Sequence, residues 1–264
     1  MPQEVKTRPL NRLQSMYALR AEVDKMYQAG EEAGAEGKPV AWVMLEGWAN
    51  AILNAMDIIT VFPENYSSLC AAQKLAGPFL ERAETEGYPT HLCGYARACV
   101  GYSARMVELD GRIPPEAPAG GMPRPTLLVA SGEVCDARFK WFQSLGRYFD
   151  APVWTLESPS PNARESLTPG TYERNVHFLV NEIRQFVIFL AKITGKKMKW
   201  DSFFLRETAL IPSTVSAGIL TSFARLIQVQ CTPVISGVSC PRRYIEVRLT
   251  QPLSSKDTRK CITK

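Results

Sequence analysis

Apolar positions along this chain fall into two periods. Leu13, Met16, Tyr17, Leu19, Val23 and Met26 recur at roughly helical spacing with charges between them, which predicts a helix over 10–35. Residues 30–39 are rich in Gly and Glu and read as a loop. Residues 40–45 form a short apolar run of strand length, 48–56 is helix-like, and 58–62 is a second short apolar run. That is the strand–helix–strand unit of an α/β fold. A single helix is expected over 67–86, stopped by Gly87-Tyr88-Pro89. Pro and Gly crowd 112–125, which reads as a surface connection. The pattern then repeats, with a strand at 126–131, a helix at 136–149 and a strand at 153–156. A loop over 159–170 leads into a long amphipathic helix at 172–194, stopped by Gly195. Two such passes predict a parallel-sheet α/β domain of Rossmann or flavodoxin type, with flanking helices, over 1–205.

The chain changes character near Arg206. Ser and Thr abound in 206–264, helical periodicity is poor, and only 215–229 is apolar enough to pack. Two readings stand: an irregular subdomain, or a stretch that is not the natural continuation of the chain, truncated or frameshifted. The charge follows the same division. Residues 207–264 hold eight Lys/Arg against three Asp/Glu, which accounts for the whole formal net charge of +5. The main body is therefore neutral, and a nucleic-acid footprint, which needs a clustered basic face, is not expected. Length, 45% hydrophobic and 22% charged residues are those of a globular protein. No apolar run reaches the roughly 20 residues that span a bilayer, and 1–20 has no signal-peptide core. The expected compartment is the cytoplasm, with no membrane partner.

Seven cysteines, odd in number and irregularly spaced, do not suggest a disulfide framework. Cys70, Cys93 and Cys135 stand out because each sits at an end or turn of an apolar segment. Ligands of open parallel sheets bind outside the carboxyl ends of the strands. Cys135 follows the predicted strand at 126–131 and precedes a helix, whose positive end stabilises an anion. Cys70 follows the strand ending near Phe62 and is placed on the same edge; Cys93 lies at a turn before an Ala-rich helix. Three thiolates from separate loops can hold an iron–sulfur cluster and leave one iron open to substrate. The spacings of 23 and 42 residues match neither a zinc knuckle nor a ferredoxin run, and an inert buried thiol is the competing reading for each. Cys99, flanked by Ala98 and Val100, reads as packing; Cys231, Cys240 and Cys261 receive no role.

Other chemistry is sparse. His91 is two residues from Cys93 and either supports a ligand or forms the turn, while His177 reads as structural. Glu46 and Glu64 lie near strand ends, where proton transfer competes with capping and solvation. Trp42, Trp48, Trp141 and Trp154 read as core or interface residues. There is no GxSxG, P-loop or GxGxxG, and Pro118-Ala-Gly-Gly-Met-Pro123 suits a turn rather than a phosphate cradle. No catalytic acid or base is assigned.

Three stretches carry a resemblance: MDIITVFPENYSSLCAAQ, GYPTHLCGYARACVGY and RPTLLVASGEVCDARFKWFQSLGRYFDAPVWTLESP. Across roughly 10–205 the chain resembles the 2-hydroxyacyl-CoA dehydratase/benzoyl-CoA reductase family, above all cluster-bearing subunits of the benzoyl-CoA reductase type. The pattern is Leu-Cys-Gly/Ser-Tyr-x-Arg, then a strand ending in Cys-Asp, then aromatic-Pro-Val/Leu. The resemblance implies an oxygen-sensitive [4Fe–4S] cluster, with Cys70, Cys93 and Cys135 as candidate ligands. It also implies a related cluster-bearing subunit as heterodimer partner, an ATP-hydrolysing iron–sulfur activator that injects one electron at very low potential, and a CoA-thioester substrate. The implied enzyme is an oxidoreductase or lyase of anaerobic metabolism. The family continues through a second α/β domain of similar size, which 206–264 does not resemble.

Three functions follow. The first is a subunit reducing an acyl-CoA, by aromatic-ring reduction or 2-hydroxyacyl-CoA dehydration. The second is an ATP-coupled iron–sulfur electron-transfer protein acting on small molecules. The third is a non-catalytic fragment whose cysteines hold zinc or nothing.

Overall fold

A computed structural model describes residues 14–44, 47–132, 135–157, 159 and 168–203. The section 206–264, Glu46, Cys231, Cys240 and Cys261 lie outside the described residues, as does the side chain of Trp48.

Helix α1 (Gln14–Ala35) leads into strand β1 (Val40–Val43), then α2 (Gly47–Ala55) and β2 (Ile59–Val61). Three helices follow, α3 (Pro63–Ala72), α4 (Gly77–Thr85) and α5 (Gly94–Glu108). Strand β3 (Leu127–Ser131), α6 (Ala137–Phe149), β4 (Val153–Leu156) and α7 (Thr171–Thr194) complete the described elements. The strands form one parallel sheet in the order β2-β1-β3-β4, as the two apolar passes predict. The central strands VAWV and LLVAS are buried along their whole length, the continuous apolar run that a parallel sheet covered on both faces requires. After β1 the chain pairs β2 on one side of it and then returns to place β3 on the other. The topological switch point is therefore β1/β3, and the crevice for a ligand opens beyond the carboxyl ends of those strands.

Three sequence-based boundaries change. Helix α1 runs to Ala35, the end of the helix expected over 10–35, so the first part of the Gly/Glu-rich stretch at 30–39 is helix and not loop. Its Gly34 faces Pro123, and a Cβ there would come within 2.6 Å of the proline ring. The glycine serves close packing, not a turn. The single helix expected over 67–86 is two helices, separated where Lys74 takes φ 59. Pro78 in the first turn of α4 lacks the N–H that a continuous helix would use, and disfavours helical backbone at Gly77 in such a helix. The Pro/Gly-rich connection is not simply surface. Pro118, Gly121, Met122, Pro123 and Pro125 are buried, and three aromatic side chains hold the segment by its backbone. Tyr66 Oη donates to the Pro118 carbonyl at 2.8 Å, Tyr102 Oη to the Met122 carbonyl at 2.7 Å, and Trp42 Nε1 to the Pro123 carbonyl at 2.9 Å. These rings stack edge-on in the core, Tyr66 on Tyr102 at 5.4 Å and Tyr27 on Tyr66 at 5.2 Å.

Candidate metal-cluster site

The cysteines divide by burial. Cys93 and Cys135 are exposed, whereas Cys70 and Cys99 are buried. Cys93 is the N-cap residue of α5, and its carbonyl accepts the Arg97 N–H at 3.0 Å. Cys135 stands immediately before the N-cap Asp136 of α6, and its carbonyl accepts the Arg138 N–H at 3.2 Å.

These two helices pack together, and their contacts set their direction. In their first halves the buried Cys99 and Trp141 side chains lie close together in the core, and each is six residues past its exposed cysteine. At the far end Val107 and Asp110 share a shallow cleft with Tyr148 and Phe149. The helices therefore run in the same direction and nearly in register, so Cys93 and Cys135 open the same end of the pair. The first turn of α3 joins them there. Arg138 Nη2 donates to Glu64 Oε2 at 3.0 Å, and Ser67 Oγ donates to the Tyr95 carbonyl at 3.0 Å. Among the described residues, none of the three helix starts, at Phe62, Cys93 and Asp136, has a side-chain cap from its N-cap residue. These contacts make the three helix starts neighbours, and the positive end of each dipole favours an anionic group beside it.

Cys70 does not share the exposed edge with these two cysteines. Helix α3 starts directly after β2, at Pro63, so Cys70 is two turns further on and faces inward beside Tyr66. Its residue is 1% exposed, and burial pushes the thiol up to about 11, with the Tyr66 hydroxyl opposing. Cys99 is packing, as its neighbours suggest; burial pushes it up to about 12 against smaller contributions from Trp141 and Ser103. Among the described residues no three His, Cys, Asp or Glu side chains group closely enough to hold a metal ion.

The remaining candidates are spread over the fold. Glu64 is an ion-pair partner of Arg138. His91 is exposed in the turn before Cys93, and His177 is exposed on α7. Trp42 and Trp141 are buried and Trp154 is half-buried, its Nε1 donating to Glu182 at 3.1 Å. Sequence reasoning missed the role of two arginines. Arg97 and Arg138 each follow an exposed cysteine by about one turn, and each is drawn inward to a glutamate of a neighbouring helix, Glu84 and Glu64. The Arg in the Cys-Gly-Tyr-x-Arg stretch was the available signal.

The fold is that of an α/β protein with a parallel sheet and exposed thiols at the starts of two helices, one of them shortly after the switch-point strand β3. Residues 48–206 match the model of the family described as 2-hydroxyglutaryl-CoA dehydratase, D-component, and the chain belongs to that family. It is 25% identical over 184 residues to lactoyl-CoA dehydratase subunit alpha of Anaerotignum propionicum, covering 68% of this chain and 42% of the relative. It is 26% identical over 179 residues to the (R)-2-hydroxyisocaproyl-CoA dehydratase alpha subunit of Clostridioides difficile, covering 68% and 40%. Identity to one of the subunits of benzoyl-CoA reductase from Thauera aromatica is 26% over 173 residues, covering 65% and 37%. The matches with these curated relatives span about two-fifths of the relatives' own length. No helix among the described residues is long and apolar enough to cross a membrane.

Proposed function

We propose that residues 1–205 form the cluster-binding domain of an iron–sulfur subunit that acts on a CoA thioester, in 2-hydroxyacyl-CoA dehydration or aromatic acyl-CoA reduction. The observation that carries this reading is the pair of exposed thiols at the matched starts of two parallel helices, beside the switch point of the sheet. Thiolates are the ligands iron–sulfur clusters take. Three uncapped helix starts suit the negative charge of a thiolate-ligated cluster. The donor set fits in part: Cys93 and Cys135 supply two ligands, Cys70 is turned into the core, and a complete set draws its other ligands from beyond the described residues. A [4Fe–4S] cluster, when bound, supplies single electrons at low potential.

The relatives are named as alpha subunits of dehydratases and a subunit of a reductase. We extend this to a related subunit as partner and to an ATP-hydrolysing iron–sulfur activator as electron source. The chain's own residues fix the start of each helix that bears an exposed thiol: Arg97 ties α5 to Glu84 of α4, and Arg138 ties α6 to Glu64 of α3.

The test uses protein made and reduced without oxygen, observed by electron paramagnetic resonance. Lactoyl-CoA or benzoyl-CoA should shift the signal, and free CoA should not. An iron-loaded chain whose signal is indifferent to both thioesters would favour electron transfer to small molecules instead.

A further inference from the structure

We infer that Arg97 is a positioning residue for Cys93: it braces the turn that carries the thiol from both sides. The inference rests on the reading of Cys93 as a ligand. The Arg97 backbone N–H holds the Cys93 carbonyl at 3.0 Å. Its side chain reaches back across the turn, where Nη1 donates to the Thr90 carbonyl at 3.2 Å and Nη2 pairs with Glu84 of α4. Thr90 lies inside the turn closed by the Leu92 N–H on the Pro89 carbonyl, at 3.1 Å. One guanidinium thus ties the segment before Cys93 to the helix after it and to the neighbouring helix.

The burial of this group argues against a role in solubility or surface pairing. Its side chain is 9% exposed, although it is one turn from an exposed cysteine. Among the described residues its buried Nε has no hydrogen-bond partner, a cost that a side chain chosen only for packing would not carry. Lysine offers a point charge and cannot hold the carbonyl and the carboxylate as the planar fork does.

The test compares wild type with Arg97→Lys, Arg97→Met and Glu84→Gln, first as metal-free protein. Hydrogen exchange at the Leu92 amide should rise about tenfold in both Arg97 variants, the size expected for losing a charge-assisted hydrogen bond, and less in Glu84→Gln, which keeps an acceptor. The amides of β3 serve as the internal control and should not change. In iron-loaded protein, Arg97→Lys should also alter the line shape of the reduced signal, which a loss of global stability alone would not do. Should Arg97→Met fail to fold, Arg97→Lys and Glu84→Gln carry the comparison. Faster Leu92 exchange in a chain that binds no iron upholds the brace and overturns Cys93 as a ligand. Leu92 exchange within twofold of wild type in Arg97→Lys overturns the brace, whatever the iron content.

Discussion

Cys93 and Cys99 share one helix and differ in everything that decides a cysteine's chemistry. Cys93 caps the start of α5 and is exposed; Cys99 lies within the helix, 1% exposed, against Trp141 and Ser103. Cys135 and Cys70 repeat the contrast between the start of α6 and the inner face of α3. Residue type alone would make all four candidates. Position on the helix separates them: a thiol at a helix start faces solvent and the positive end of the dipole, and one on the packed face acts as a small apolar residue.

The largest expected effect is on thiol reactivity. In metal-free native protein, alkylation followed by peptide mass spectrometry should modify Cys93 and Cys135 about a thousandfold faster than Cys70 and Cys99, which react only through opening of the structure. Comparable rates for Cys70 and Cys135 would remove the distinction. Stability should show the reverse order. Cys70→Ser and Cys99→Ser each place a hydroxyl in an apolar core and should cost about 1–3 kcal/mol in urea unfolding. Cys93→Ser and Cys135→Ser, at exposed positions, should stay within about 0.5 kcal/mol of wild type.

A smaller effect is set by pH. The Cys99 thiol is raised from its ordinary 9.0 to about 12 by burial, so the folded state holds this proton more tightly than the unfolded chain. Its contribution is fully present below pH 9.0 and is lost as pH rises towards about 12. Unfolding curves of Cys99→Ala should therefore fall less steeply with pH than wild type across that interval. Equal slopes would contradict the burial argument. Smallest is Glu64→Gln, which loosens a partly buried pair with Arg138 beside Cys135 and should cost about 1 kcal/mol or less, measured by the same unfolding curves.

The fold is legible in the sequence where apolar runs are unbroken. Strands β1, β3 and β4, the helix after Asp136 and the stop at Gly195, with φ 67, all follow from local pattern. Local pattern misleads where long-range packing gives a residue a second meaning. Gly34 looks like a loop residue and is a contact point for Pro123; the prolines of 112–125 look like surface residues and are anchored by Tyr66, Tyr102 and Trp42. The break between α3 and α4 is readable from Gly77-Pro78. At the site, the chain order around Cys135 predicts its place, because strand, cysteine and helix are contiguous. Cys70 departs from expectation because distance from a strand along the chain is not distance from the sheet edge. Its pairing with Tyr66 on one face, four residues apart, is the signal for the core. The matched register of α5 and α6 is not legible at all, since it depends on the contact of Cys99 with Trp141 across 42 residues of chain.

The central claim is that the two cysteines at the helix starts hold the cluster and the two buried ones do not. Iron and acid-labile sulfide per chain, on protein made and purified without oxygen, test it most directly when wild type is set beside Cys135→Ser and Cys99→Ser. The account predicts iron and sulfide in wild type and in Cys99→Ser, and their loss in Cys135→Ser. Equal iron in the two variants would contradict it.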